Sequence, residues 1–329
     1  MKYVFGPVPS RRLGRSLGID PTPASELSDK PRERPVSPAI PRKICNWNCV
    51  YCQLGRTRPF ATTRTRFFCP SAMFEELEGV LASESGDAAD WITFVGSGEP
   101  TLNRDLGTLI RGVKSMSEKP VAVITNGSLL SLPEVRRELS KADAVLPTLD
   151  AGTPDLFRRV NRPPADLTFR RHLGGLMSFR EIFSGNLWLE IMLIEGLNDD
   201  AEALSDIAKA IAEIRPDEVH LVLPTRPPAE PWVRPTSAEG VLRAQAILGT
   251  AAPVTHPDQR YGEFGATSET DPETAAAEIL SRHPMTDEEL RKALSAWGAC
   301  SPDDVIRSLE ASGNAVAVER YGVKFWRGP

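Results

Sequence analysis

Short apolar runs alternate with amphipathic helical stretches along the first 250 residues, and this alternation limits the folds that the chain can adopt. The apolar runs have the length of strands, and the stretches between them have the apolar spacing of helices. Continuous apolar strands joined by helices are typical of a parallel sheet that is buried on both faces. Strands are predicted at residues 17–20, 91–95, 121–124, 144–149, 187–194 and 219–223, and helices at 73–82, 106–114, 132–139, 170–183, 204–214 and 238–248.

The six strand and helix units predict an α/β fold, specifically a partial (β/α)6 TIM-like barrel over residues 1–250. At 329 residues the chain is longer than one typical domain, although α/β barrels often exceed about 200 residues as a single unit. We therefore expect one large domain, a linker at residues 251–272 and a small domain at residues 273–329.

Polar groups follow the predicted strands at their carboxyl ends. The segment GSGEP at residues 96–100 follows the second strand, Thr125 and Asn126 end the third, and Asp150 ends the fourth. Because parallel α/β folds build their binding sites from the loops at this edge, we expect these groups to converge on one mouth. For Asn126, ordinary turn chemistry explains the residue equally well.

Three cysteines lie within eight residues, at Cys45, Cys49 and Cys52. Iron-sulfur clusters and structural zinc ions usually take four protein ligands, so a loop with three thiolates leaves one metal coordination position open. The two other cysteines are Cys69 and Cys300, and the four histidines have no ligand spacing. The alternative to a cluster is a zinc or redox-sensing site that recruits Cys69 as its fourth ligand.

The spacing CxxxCxxC, with Tyr51 before the last cysteine, resembles the signature of the radical S-adenosylmethionine (radical SAM) superfamily. The segment GSGEP is similar to the turn that binds the cofactor amino group in that family, with Ser97 in place of the second glycine. Residues 5–20, 52–57 and 149–163 resemble a subgroup related to tRNA wyosine-base synthases. Those synthases carry further cysteines near the N-terminus, whereas no cysteine precedes Cys45 here, so the wyosine reaction itself is not implied.

The resemblance implies two cofactors, a 4Fe-4S cluster on the three cysteines and S-adenosylmethionine (SAM) on its fourth iron. It also implies a reaction: the reduced cluster splits the SAM sulfonium, and the 5'-deoxyadenosyl radical takes a hydrogen atom from the substrate. Glu99 is expected to accept a hydrogen bond from the SAM ammonium group. The cofactor contacts that the resemblance implies are Tyr51, Gly96, Ser97, Gly98, Glu99, Pro100, Thr125, Asn126 and Asp150.

Positive charge is concentrated near the cysteines. Residues 1–70 contain 13 Lys and Arg against 4 Asp and Glu, although the whole chain has a net charge of -5. The surplus either balances an anionic cluster or attracts an anionic substrate such as a nucleotide or RNA, and both interpretations stay open. Arg11, Arg12 and Arg226 are the candidate substrate contacts.

The C-terminal segment predicts a winged-helix-like domain. Thr286 and Glu289 form a capping box before one helix, Ser301 precedes another, and an alternating hairpin follows. Asp303 and Asp304 lie in the first turn of the second helix, where they would repel a DNA phosphate. We therefore favour a protein-contact or capping role for this segment over DNA binding.

Composition and motifs predict an enzyme that is active in the cytoplasm. No apolar run approaches the ~20 residues of a membrane helix, and no secretory signal is readable. The expected partners are an electron donor such as flavodoxin or ferredoxin and a substrate that is a tRNA, a nucleotide or a protein. Two alternatives are an iron-sulfur redox regulator with a DNA-binding winged helix and an activator that places a glycyl radical on a partner protein.

Overall fold

The computed structural model describes residues 3–10, 12–23, 43–257, 264–265 and 271–329. The candidate substrate residue Arg11 and half of the predicted linker at residues 251–272 lie outside these ranges.

An eight-stranded sheet forms the main unit, and its strands follow one another in chain order. The first two strands are antiparallel, and every later neighbour is parallel. The expected α/β fold is therefore confirmed, and its six predicted strands correspond to β2 to β7. The strands are β1 (Val4–Ser10), β2 (Gly14–Ile19), β3 (Trp91–Phe94), β4 (Val121–Thr125), β5 (Ala144–Pro147), β6 (Asn186–Met192), β7 (Glu218–Val222) and β8 (Val254–Thr255).

Strands β1 and β8 were not predicted, and a physical reason explains each omission. The sequence of β1 contains Pro7 and Pro9, which cannot donate ladder hydrogen bonds and so argue against a strand. As the edge of the sheet, β1 pairs only with β2, and an edge strand tolerates proline. Strand β8 has two residues, too few for any periodic signal.

In the part of the chain that the structure describes, eight α-helices accompany the sheet, and the longer ones cover it with their apolar faces. Helix α3, for example, buries Leu106, Leu109, Ile110 and Val113, the spacing of one helical face. The two short helices α2 and α5 were not predicted. The helices are α1 (Pro70–Leu81), α2 (Glu84–Ala88), α3 (Leu106–Met116), α4 (Pro133–Leu139), α5 (Pro154–Val160), α6 (Phe169–Arg180), α7 (Ala201–Ile214) and α8 (Ala238–Leu248).

The C-terminal segment has a separate hydrophobic core, in which Leu290, Leu309 and Trp326 are buried. The capping box between Thr286 and Glu289 is present, as predicted. Its three strands pair in the order β10, β11, β9, and the winged-helix classification and the domain limits stay predictions. The elements are α9 (Pro272–Arg282), β9 (Met285–Thr286), α10 (Asp287–Ala296), α11 (Pro302–Ala311), β10 (Val316–Arg320) and β11 (Val323–Arg327).

Candidate active site

The cysteine loop lies between β2 and α1, against the loop that follows β3. Cys45 and Cys49 are buried and Cys52 is half-buried. Burial raises the pKa of the Cys45 thiol to about 11, and it raises the pKa of Cys49 further. Buried thiolates therefore need positive partners, and Lys43 supplies one within the loop. Bound metal supplies the same kind of stabilisation, because a coordinating thiol is deprotonated.

Two asparagine side chains point their amide groups at the sulfurs of this loop. Asn126 Nδ2 lies 3.7 Å from Cys45 Sγ, and Asn161 Nδ2 lies 3.7 Å from Cys49 Sγ. The backbone N–H of Trp47 adds a third donor, 3.4 Å from Cys45 Sγ. Hydrogen bonds to cluster sulfurs are one of the ways in which a protein sets a reduction potential. Asn161 was missed as a site residue, although it lies inside the segment 149–163 that carries the family resemblance.

The position of Cys69 argues against a zinc site that uses it as the fourth ligand. This residue is exposed, precedes α1, and has its sulfur 3.2 Å from Ser71 Oγ. Cys45 and Cys49, in contrast, are buried within the main core. Among the described residues, no three His, Cys, Asp or Glu side chains surround a point where one metal ion could bind.

The GSGEP turn is held between the cysteine loop and the end of β2. Ile44 N donates to Ser97 O at 2.8 Å, and Glu99 N donates to Ile44 O at 2.8 Å. A Cβ on Gly98 would lie 1.7 Å from the Ile44 carbonyl oxygen, and a Cβ on Gly96 would lie 2.3 Å from Asp20 Cγ. These glycines are therefore required because backbone and side chain approach them too closely for any other residue.

Glu99 has a buried carboxylate that accepts four hydrogen bonds. Its Oε1 atom accepts from Thr101 N at 3.0 Å, Thr101 Oγ1 at 2.5 Å and Thr125 Oγ1 at 2.5 Å, and its Oε2 atom accepts from Asn126 N at 2.7 Å. Since each carboxylate oxygen offers about two lone-pair sites, Oε2 with its single donor keeps one acceptor site. These contacts make Glu99 the link between two strand-end loops, and its predicted hydrogen bond from the SAM ammonium stays a prediction. Pro100 begins the short 3-10 helix that Glu99 caps.

Thr125 and Asn126 contribute to both turn formation and the site. Thr125 Oγ1 also accepts a hydrogen bond from Gly127 N at 3.0 Å, which is turn chemistry. Asn126 Oδ1 accepts from Ser128 N at 2.9 Å, whereas its amide donates to Asn46 Oδ1 at 2.8 Å beside Cys45. The turn interpretation of Asn126 thus describes its Oδ1 atom, whereas its predicted contact with the cofactor stays a prediction.

Asp150 is buried next to the cysteine loop and pairs with the half-buried Tyr51. Tyr51 Oη donates to Asp150 Oδ2 at 2.6 Å, and Asn161 Nδ2 donates to the same oxygen at 2.7 Å. Burial raises the pKa of Asp150 to about 6, although the hydrogen bonds from Tyr51, Met192 N and Asn161 oppose that change. Asp150 thereby holds the Tyr51 ring in place. Asn161 links Asp150 to Cys49, because its amide lies within hydrogen-bond distance of both.

A cavity of about 390 Å³ lies beside this pair, between the strand ends and the C-terminal segment. Of the predicted cofactor residues, Tyr51 and Gly96 line it together with Cys52. The predicted substrate residues Arg12 and Arg226 also line it. The other predicted cofactor residues are not among the lining residues, namely Ser97, Gly98, Glu99, Pro100, Thr125, Asn126 and Asp150.

Two of the remaining lining residues, Arg282 and His283, come from the C-terminal segment and were not predicted as site residues. Burial, and then the nearby Arg226, lower the pKa of His283 well below its usual range, so its ring is neutral. No sequence pattern marks either residue, because they reach the cavity only through the packing of the C-terminal segment.

The sequence profile of the radical SAM superfamily matches residues 40–208. The chain belongs to the radical SAM superfamily. A UPF0026 protein, MJ1312 of Methanocaldococcus jannaschii, is 30% identical over 99% of this chain and 96% of its own length. The chain is also 42% identical over 68% of its length to a protein named GTPase Obg from Brachyspira hyodysenteriae, of which the match spans only 30%.

The structure of TYW1 with a lysine-pyruvate adduct has a similar fold. Its TM-score is 0.52 at 18% sequence identity, and the match covers 72% of this chain and 74% of TYW1. The predicted radical SAM membership is confirmed by the family match and by the relative MJ1312. Proteins of this superfamily are enzymes that use a 4Fe-4S cluster and SAM, so the predicted cofactors are confirmed as well.

The donor set of this radical SAM chain fits the cluster. Three cysteine thiols are brought to one loop, and amide N–H groups of Asn126 and Asn161 face two of their sulfurs. Cys52, the least buried of the three, borders the cavity. The helices of the described residues are all too short or too polar to cross a membrane.

His172 packs against Trp47 of the cysteine loop, and its titration should make the stability of the protein depend on pH. Its buried ring stacks on Phe157 and meets the edge of Trp47, and burial lowers its pKa to about 4. The unfolded chain binds a proton near pH 6.5 and the folded chain does not, so stability falls as the pH drops below that value. Between about pH 7.5 and pH 5.5, His172 should lower the unfolding free energy by about 1 kcal/mol.

The test measures urea-induced unfolding at both pH values, with tryptophan fluorescence as the signal. His172→Phe removes the titration and should show a smaller loss between the two pH values than the parent protein. An equal loss in both proteins would contradict the assignment of a neutral, buried imidazole.

Proposed function

We propose that this protein is a radical SAM enzyme that holds a 4Fe-4S cluster on Cys45, Cys49 and Cys52 and acts on an anionic substrate in the adjoining cavity. When bound and reduced, the cluster supplies the electron that splits SAM into methionine and a 5'-deoxyadenosyl radical, which takes a hydrogen atom from the substrate. The single observation that carries the proposal is the position of the three-thiol loop at the wall of this cavity.

The residues around the loop would orient the cofactors and exclude water. Tyr51 borders the cavity and is fixed by Asp150, so its ring can form a rigid wall against a bound ligand. Val95, Ile124 and Met192 add apolar surface from three strand ends. Such a site orients the cofactor and separates reactive species from solvent, while the cofactor supplies the chemistry.

The charge of the cavity lining supports an anionic substrate. Arg12, Arg226 and Arg282 line the cavity, and the described residues that line it include neither Asp nor Glu. Arg12 forms an ion pair with Glu190, and Arg226 Nη1 lies 3.6 Å from a Glu289 oxygen. These acids hold the guanidinium groups of Arg12 and Arg226 in place, and the planar guanidinium fork matches the geometry of a phosphate or carboxylate.

The test uses anaerobically purified and reconstituted protein. Incubation with SAM and dithionite, or with reduced flavodoxin, should release 5'-deoxyadenosine and methionine, both measured by mass spectrometry. SAM should also change the electron paramagnetic resonance spectrum of the reduced cluster. A spectrum that is indifferent to SAM, with no 5'-deoxyadenosine released, would overturn the proposal and favour a redox regulator.

The anionic character of the substrate is tested with nucleoside monophosphates against the matching uncharged nucleosides. Calorimetric titration should give tighter binding of the monophosphate, and Arg226→Gln should reduce that preference. Equal binding of the charged and uncharged compounds would contradict this part of the proposal and leave the radical chemistry standing.

A further inference from the structure

Asp20, at the end of β2, has a carboxylate that is completely buried. Its Oδ2 atom accepts hydrogen bonds from Ser97 N at 3.1 Å and from Ser97 Oγ at 2.6 Å. The same oxygen lies 2.9 Å from Arg282 Nε, and the Arg282 side chain is 9% exposed. Since a buried carboxylate is costly without a cation, Arg282 serves as its counter-ion.

Ser97 connects this ion pair to the predicted SAM-binding turn, GSGEP. The Ser97 carbonyl accepts from Ile44 N, which precedes Cys45, at 2.8 Å. Gly96 has no room for a Cβ against Asp20, and Gly98 has none against Ile44. The turn therefore has close contacts on both sides, and its position depends on where Asp20 lies.

Arg282 reaches the cysteine loop by a second route. It is the last residue of α9, and its carbonyl oxygen accepts a hydrogen bond from Gln53 Nε2 at 3.2 Å, directly after Cys52. Its guanidinium lies 5.1 Å from the centre of the Phe5 ring on β1. One C-terminal residue thus contacts the strand end, the cysteine loop and the wall of the cavity.

We propose that the C-terminal segment completes the cofactor site and that Arg282 is a positioning residue, which fixes the GSGEP turn for SAM through Asp20 and Ser97. This inference rests on the proposed radical SAM function. Removal of the guanidinium leaves the Asp20 carboxylate without its counter-ion, so the turn shifts and SAM affinity falls. Partners that orient ligand-binding groups typically contribute about 10- to 100-fold in affinity, and we expect a loss of this size.

The experiment compares Arg282→Gln, Arg282→Lys and Asp20→Asn with the parent protein, all reconstituted with the cluster. SAM dissociation constants are measured by equilibrium dialysis with labelled SAM, and the reduced cluster is examined by electron paramagnetic resonance with and without SAM. Arg282→Gln should raise the SAM dissociation constant about 10- to 100-fold, and Arg282→Lys should restore part of the affinity. The cluster spectrum without SAM should stay as in the parent.

Arg320→Gln is the matched control. Arg320 also joins the C-terminal segment to the barrel, through the carbonyl oxygens of Pro224 and Val233, but it does not contact Asp20. If Arg282 only docks the segment, both substitutions should weaken SAM binding alike, and that result would overturn the proposal. If Arg282 acts through Asp20, Arg320→Gln should leave the dissociation constant within about twofold.

Asp20→Asn keeps the proposal testable should Arg282→Gln fail to fold. It replaces the carboxylate by an amide of similar size and should weaken SAM binding in the same direction. The double variant should lose less than the sum of the two single changes, because both act through one ion pair. Parent-like SAM binding by the folded single variants would refute the role of Arg282, whereas a parent protein that binds no SAM would refute the proposed function instead.

Discussion

Replacement of Cys45, Cys49 and Cys52 by alanine is expected to abolish cluster binding. The parent protein should bind about four iron atoms per chain after anaerobic reconstitution, as expected for one 4Fe-4S cluster. The three thiols form the only cysteine group within the described core, and two of them are buried beside amide donors. Iron and sulfide content, the absorbance of the cluster and the yield of 5'-deoxyadenosine should all fall to background in the triple variant.

Cys69 and Cys300 provide a matched control with the same chemical change. Both are exposed, and a Cys69→Ala, Cys300→Ala double variant removes two thiols without touching the loop. This control should keep the iron content and the SAM cleavage of the parent. A triple variant that still binds a full cluster would contradict the ligand assignment, and a control that loses the cluster would indicate that Cys69 or Cys300 is a ligand.

Gly98→Ala is expected to separate the GSGEP turn from the cysteine loop. The new Cβ would lie 1.7 Å from the Ile44 carbonyl oxygen, whereas ordinary contacts begin at 3.4 Å. The clash is with backbone, so no side-chain rotation relieves it, and the turn or the loop must move by more than 1 Å. Since a 1 Å misplacement can cost about 100-fold in rate, the rate of SAM cleavage should fall by about that factor.

The control for this prediction is Gly79→Ala. Gly79 lies in helix α1 and is exposed, and a Cβ there meets nothing within 4 Å. Alanine is the better helix former by about 1 kcal/mol, so this variant should be at least as stable as the parent and cleave SAM at the same rate. The Gly98→Ala variant is measured on protein with full iron content. If it binds and cleaves SAM as the parent does, the contact with Ile44 does not position the turn.

Much of the fold was predictable because buried parallel strands carry a strong signal. Strands β3, β4 and β5 are mostly apolar runs, and burial on both faces requires that composition. Strands β2, β6 and β7 also contain polar residues such as Arg15, Glu190 and His220, but each keeps several buried apolar residues. Helix α5 could have been found from Thr153 as N-cap and Pro154 at the first helical position. Strand β1 could not, because its prolines are acceptable only at a sheet edge, and edge position is a tertiary property.

The site was predictable where a spacing or a motif carries the chemistry. The three cysteines need to lie close together to share one cluster, and closeness in sequence ensured that. The protein partners of Glu99 were not predictable, since the sequence shows an acidic residue but not the donors from Thr101, Thr125 and Asn126 that surround it. A side chain far along the chain is still harder to place, because packing alone brings it to the site.

The sequence by itself determined the superfamily, the cofactor pair and the α/β architecture, because each follows from local spacing or from apolar periodicity. The tertiary structure decided which polar groups face the cavity and which ones brace its loops. Arg282 lies 262 positions from Asp20, and only the docking of the C-terminal segment brings their side chains to 2.9 Å. Such a contact has no local signature, since its energy comes from the pairing of charges within a buried interface that forms only when the chain has folded.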